Sequence, residues 1–227
     1  KEVVIAEFNE RKEAEHMFVG QVFSRESTVA LISDGSILDA FDSDQTNIRG
    51  QEIVLNSSDR IGLIDNHLEI DLADDGPLTA YALGSIYLTE NVGNMNVRSV
   101  NSTFAQVELV ADFSILDHSD VADPFERFTL ESLSPNVFRP TIADPVIAGN
   151  PITDIVGLDL KLTAKNGSIG APGNELDIIP TFFAGGTSEI TASAGNDIYL
   201  TAPQTDLSLK TLTAGGTAFV SVPAGSI

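Results

Sequence analysis

The chain has 227 residues, enough for one large or two ordinary domains, and its 42% hydrophobic content is sufficient for a real core. Twelve basic residues against thirty-three acidic ones leave a formal charge of −21, which repels phosphate backbones and anionic bilayers and argues against nucleic-acid binding. There is no cysteine, which excludes disulfides and thiolate metal sites, and no run of about 18 apolar residues that could cross a membrane as a helix.

Lys1-Glu2-Val3 does not open a signal peptide, so secretion would require a leader upstream. The first apolar phrase, Val3-Val4-Ile5, is followed by the acidic run from Glu7 to Glu15, which reads as a solvated excursion. From Met17 onward the chain repeats itself. Met17, Val19, Val22, Ser24 and Val29 return 78 positions later as Met95, Val97, Val100, Ser102 and Val107. Leu31, Asp34, Ser36, Ile37, Leu38 and Asp39 return as Leu109, Asp112, Ser114, Ile115, Leu116 and Asp117. Such self-similarity at a fixed period changes what the fold can be and has to be settled first.

Between these copies lie Asn47-Ile-Arg-Gly50, Ile53-Val-Leu55, Ile61-Gly62, Leu68-Glu-Ile-Asp-Leu72 and Leu78 to Glu90. Each apolar run is short, mostly alternating, and closed by Gly, Asn, Asp or Pro, which is strand chemistry punctuated by turns. The next copy keeps these phrases and adds residues only between them. Asp154 to Leu162 overlays Asn47 to Leu55 at an offset of 107, Ile169 to Ile178 overlays Ile61 to Ile70 at 108, and Ile190 to Thr201 overlays Leu78 to Thr89 at 112. Insertion in loops with persistent apolar phrases is what a stacked solenoid tolerates. The expected organisation is one continuous solenoid: a partial unit over 1–36 with the acidic excursion, a complete unit over 37–114, and a unit over 115–227 carrying an insertion at about 118–152. At roughly 20 residues per coil, 78 residues would make about four coils spaced about 4.8 Å apart. Tandem β-sandwich domains are the alternative architecture.

The insertion holds half of the ten prolines. Asp123-Pro124-Phe125-Glu126 reads as a helix start, giving a short helix over about 124–132, and Phe125, Phe128 and Phe138 are expected to pack onto the flank of the solenoid or, alternatively, to form an exposed binding patch. Asp39, Asp42 and Asp44 occupy the same phase as Asp117, Asp120 and Asp123, and close oxygen donors in turns make them candidate calcium ligands. Asp42-Ser-Asp44 lacks the Gly and distal Glu of an EF-hand loop, so solvated acidic turns are the competing reading, and no cofactor is required. The three histidines fall in unrelated phases, and His67 is replaced by Glu175 in the next copy, which favours surface histidines. Asn56, Asn101 and Asn166 stand in Asn-x-Ser/Thr sequons.

Gly35-Ser-Ile-Leu-Asp39, Gly84-Ser-Ile-Tyr-Leu-Thr89, Val97-Arg-Ser-Val100 and the phrase from Ile169 to Ile178 resemble filamentous-haemagglutinin-type exoproteins, closest to giant repeat-built bacterial surface proteins. The likeness covers about 17–117 and 154–227. It implies an all-β, right-handed parallel β-helix, secretion to the bacterial cell surface, and an adhesive or scaffold role without a catalytic residue set. Partners implied are further repeats of the same chain, head-to-tail self-association and surface glycans, with no nucleic acid and no membrane insertion. The rival is a β-helix polysaccharide-degrading enzyme or carbohydrate-binding module, since carboxylates are abundant. Met17 enters in mid-unit and Ala224-Gly-Ser-Ile227 repeats the start of a phrase, so the chain is expected to be a segment of a longer protein or one link of a filament.

Overall fold

A computed structural model describes residues 2–7, 15–73, 76–118, 153–181, 188–203 and 206–227. Among the described residues, twenty short strands stack into two main parallel sheets, one of ten strands and one of eight, with a two-stranded pair beside them. Every strand pairing is parallel, and the antiparallel contacts among the described residues are two single bridges, Leu63 to Asn66 and Ala171 to Asn174. The β-solenoid is therefore as the sequence indicates, and the tandem-sandwich alternative, which needs antiparallel ladders, is ruled out. The helix over about 124–132, together with Asp120, Asp123, Phe125, Phe128 and Phe138, lies outside the described residues.

Period-two alternation drives the stacking. In β12 (Val107–Ala111) and β15 (Leu160–Ala164) the first, third and fifth residues enter the core, while Glu108, Val110, Lys161 and Thr163 alternate to the other face, where Glu108 is buried as well. Strands in register put like on like, so Ile86, Val107, Leu160, Ile190 and Leu209 form one aliphatic ladder of the eight-stranded sheet. Val3, Val29, Ile53, Leu78 and Val97 form its counterpart in the ten-stranded sheet. Both ladders feed one continuous hydrophobic core. At about 25 cal/mol per Å² of apolar surface, this shared core is the main stabilising term.

The repeat does not comprise about four coils. Met17 and Ile37 of the two-stranded pair continue through Ile61 to Ile86 of the eight-stranded sheet as one ladder, whereas their counterparts Met95, Ile115, Ile169 and Ile198 stack in the ten-stranded sheet. Leu78 in the ten-stranded sheet likewise corresponds to Ile190 in the eight-stranded one. One repeat thus spans seven half-coils, three and a half turns, and rises about 17 Å. The elementary unit is one strand with one turn, so nothing in the chemistry requires a whole number of coils. Consecutive copies present the same phrases on opposite sheets.

Candidate functional site

Where each ladder strand ends, the chain leaves the stack and must re-enter it. After β5 (Ile37–Asp39) it does so at Asn47, ahead of β6 (Ile48–Gly50), and a closed polar network makes the corner. Asp39 Oδ1 accepts hydrogen bonds from the Phe41 amide at 3.0 Å and from Asn47 Nδ2 at 2.5 Å, and Oδ2 accepts one from the Ser43 amide at 3.3 Å. Asn47 Nδ2 also donates to the Val19 carbonyl, and its Oδ1 accepts from the Glu69 amide at 2.9 Å. Burial pushes the Asp39 carboxyl up, but the donors from Phe41, Asn47 and Ser43 outweigh it and hold the group below its usual range. Asp39 is thus a turn-closing acceptor. Asp42 and Asp44 are exposed, with the Asp44 carbonyl taking a hydrogen bond from Asn91.

Among the described residues, no group of three or more His, Asp or Glu side chains is arranged to hold a metal ion. Asp39→Ala is expected to cost about 1–3 kcal/mol by leaving those amides unsatisfied. Because the Asp39 oxygens are already claimed, chelation is expected to leave the melting temperature unchanged, and a clear rise with added calcium would contradict this.

The second copy builds the same corner from different atoms. Asp117, Asp154 and Asp177 stand where Asp39, Asn47 and Glu69 stand in the first. Asp154 is fully buried; Oδ2 accepts the Asp177 amide at 2.7 Å, as Asn47 Oδ1 accepts that of Glu69. Burial, then the Asp117 charge and a side-chain hydrogen bond with Asp117, push the Asp154 carboxyl well above its ordinary range. A neutral carboxylic acid has the shape of a carboxamide, and its O–H can donate to Asp117 as the Asn47 amide donates to Asp39. Burial and the same Asp117 charge raise Asp177 to about 6, and burial with Asp39 raises Glu69 to about 7. Glu90, fully buried, is raised to about 8 by burial while it caps the Leu72 and Val92 amides. None of these four acids stands out in the sequence as a site residue, although Asn47 overlays Asp154 and Glu69 overlays Asp177.

His67 is not a surface histidine. Its side chain is mostly buried, Nδ1 is 2.9 Å from Thr89 Oγ1, and the ring lies 5.8 Å from that of Tyr87. Burial lowers its pKa, with Glu108 opposing, and Glu108 is itself bonded to Lys161 at 2.6 Å. Asn56 and Asn101 are buried, so of the three sequons only that of Asn166 is exposed.

A groove of about 550 Å³ opens beside the hairpin closed by Leu63 and Asn66. Asp42, Arg60, Leu63, Ile64, Asp65 and Asn66 line it together with Ser85 and Tyr87 of the following coil. Gly62, at φ +66°, starts the hairpin where a Cβ would lie 2.3 Å from the Tyr87 carbonyl oxygen, and Gly170 repeats this against Tyr199 at φ +67° and 2.2 Å.

No family model, curated protein or solved structure matches this chain. What the molecule offers is therefore its own internal comparison: two copies of one corner and one hairpin, built with different side chains.

Proposed function

We propose that the chain is a structural and adhesive β-solenoid segment of a bacterial surface filament or large adhesin, of the filamentous-haemagglutinin type suggested by its repeated phrases. The observation that carries this reading is the uninterrupted pair of parallel ladders, in which each half-coil offers the next the same edge it received. Such a stack has no preferred length and extends along one axis by adding rungs. Among the described residues, the outermost strands of the ten-stranded sheet are β1 (Val3–Glu7), paired with β4 (Thr28–Ser33), and β20 (Ala218–Ser221), paired with β18 (Ile198–Thr201). A further rung, from the same chain or from a second copy head to tail, would add at these edges by the same parallel pairing. Val4, Ile5 and Phe219 expose apolar surface at these edges, each by 40% or more. The charge of −21 opposes side-by-side association, so growth along the axis is favoured over lateral clumping.

Immunogold labelling of intact source cells, with antibody raised against the folded chain, tests the reading. Label along surface fibres is the expected result. Label that appears only after lysis would contradict it.

A further inference from the structure

The internal repeat separates what the solenoid needs from what has been added to it. Both hairpins keep the glycine at Gly62 and Gly170, the asparagine at Asn66 and Asn174, and the tyrosine at Tyr87 and Tyr199. These shared residues suffice to make the turn, since both copies close the same antiparallel bridge and seat their glycine on the tyrosine carbonyl. The groove wall differs. Arg60, Leu63, Ile64 and Asp65 stand where the second copy has Ser168, Ala171, Pro172 and Gly173. Pro172-Gly173, with Gly173 at φ +77°, is the economical way to turn this corner. The first copy instead exposes Ile64 by 59% and Leu63 by 38% and sets charged groups beside them. Folding does not explain that choice.

Arg60 Nε donates to Asp59 Oδ2 at 3.3 Å, and the same oxygen accepts Ser36 Oγ at 2.7 Å, so the guanidinium beside the groove has a carboxylate partner. Asp42, which also lines the groove, is the one non-glycine among the described residues in the left-handed region, at φ +48°, a turn conformation that aspartate tolerates. The volume is within the range of small-molecule sites. The lining carries two carboxylates, Asp42 and Asp65, against one guanidinium that is already paired with Asp59, so anionic ligands are disfavoured. A fitting ligand must accept from Arg60, donate to Asp42 and Asp65, and lay an apolar face on Leu63 and Ile64. Neighbouring hydroxyls on a pyranose ring meet all three demands without a charge.

We propose that this groove binds a neutral saccharide of one or two residues. The inference deepens the adhesive reading above and rests on it. The test is saturation-transfer NMR and titration calorimetry on the whole chain against cellobiose, maltose and N,N′-diacetylchitobiose, with glucosamine disaccharide and a sulfated disaccharide as charged comparisons. The paired variant is Arg60→Ser, Leu63→Ala, Ile64→Pro and Asp65→Gly together, which installs a hairpin that the same fold already carries. At least one neutral disaccharide is expected to bind the native chain and to lose about tenfold or more in affinity, about 1.4 kcal/mol, in the variant, with melting unchanged. No binding by the native chain, equal binding by the variant, or preference for either charged disaccharide would overturn it. Surface labelling that persists without saccharide binding would remove the groove from the account and leave the structural role intact.

Discussion

Asp154→Asn is expected to stabilise the protein at pH 8, by about 1–3 kcal/mol, with little effect at pH 4. The reason is the corner of the first copy, where Asn47 fills the same place and donates without titrating. Asp154 can do so only while it holds its proton, and burial together with Asp117 keeps its folded pKa well above the ordinary value. A raised pKa means that the contribution is fully present below the unfolded value and is lost as pH rises through the folded one. Glu69, Asp177 and Glu90, raised to about 7, 6 and 8, work in the same direction. The native chain should therefore lose stability between about pH 4 and about pH 8, a window set by their unfolded and folded values. The Asn variant removes one share of that loss and flattens the curve, whereas Asn47→Asp steepens it. Urea unfolding at pH 4, 6 and 8 measures this, and curves of identical slope for native chain and variant would show that Asp154 does not carry the effect.

Gly62→Ala and Gly170→Ala are expected to destabilise by similar amounts, about 3 kcal/mol each. Both glycines occupy the left-handed region, and both would drive a Cβ to about 2.2–2.3 Å from a carbonyl oxygen of the next coil. That oxygen belongs to backbone held in the ladder, so it cannot swing aside as the tip of a side chain would. Gly93 separates the two causes, because its φ is +92° but a Cβ there meets nothing within 4 Å. Gly93→Ala should cost only the conformational part, about 1 kcal/mol. Thermal melts of the three variants decide the matter, and equal losses at all three sites would mean that crowding contributes nothing.

Much of the architecture was legible because solenoid strands are written as short alternating phrases that recur. Met17, Ile37, Ile61 and Ile86 and their counterparts Met95, Ile115, Ile169 and Ile198 could be matched residue by residue, and the ladders follow that match. The half-turn could not be read, because an offset counts residues and the sheets count strands. Excursions over 40–46 and 62–67 lengthen coils without adding a strand, so dividing the period by a mean coil length gives the wrong number of turns. The role of Asp39 was hidden for a related reason. Spacing put Asp39 near Asp42 and Asp44, but only the folded corner shows amide donors already using the Asp39 oxygens. The groove draws on Asp42, on Arg60 to Asn66 and on Tyr87, from three successive coils, so no single window of sequence could contain it.

The most direct test of the stacked architecture uses the absence of native cysteine. Val110 and Thr163 face outward as register partners on β12 and β15, although 52 residues separate them in sequence. Neighbouring strands lie within the Cα separation that a disulfide spans. Val110→Cys with Thr163→Cys should therefore cross-link under mild oxidation without lowering the melting temperature, as should Thr163→Cys with Ser193→Cys, their neighbour on the following rung (Ile190–Ala194). Val110→Cys with Ser193→Cys, two rungs apart, should not. Failure of both adjacent pairs, or cross-linking only after denaturation, would contradict parallel stacking of these distant phrases.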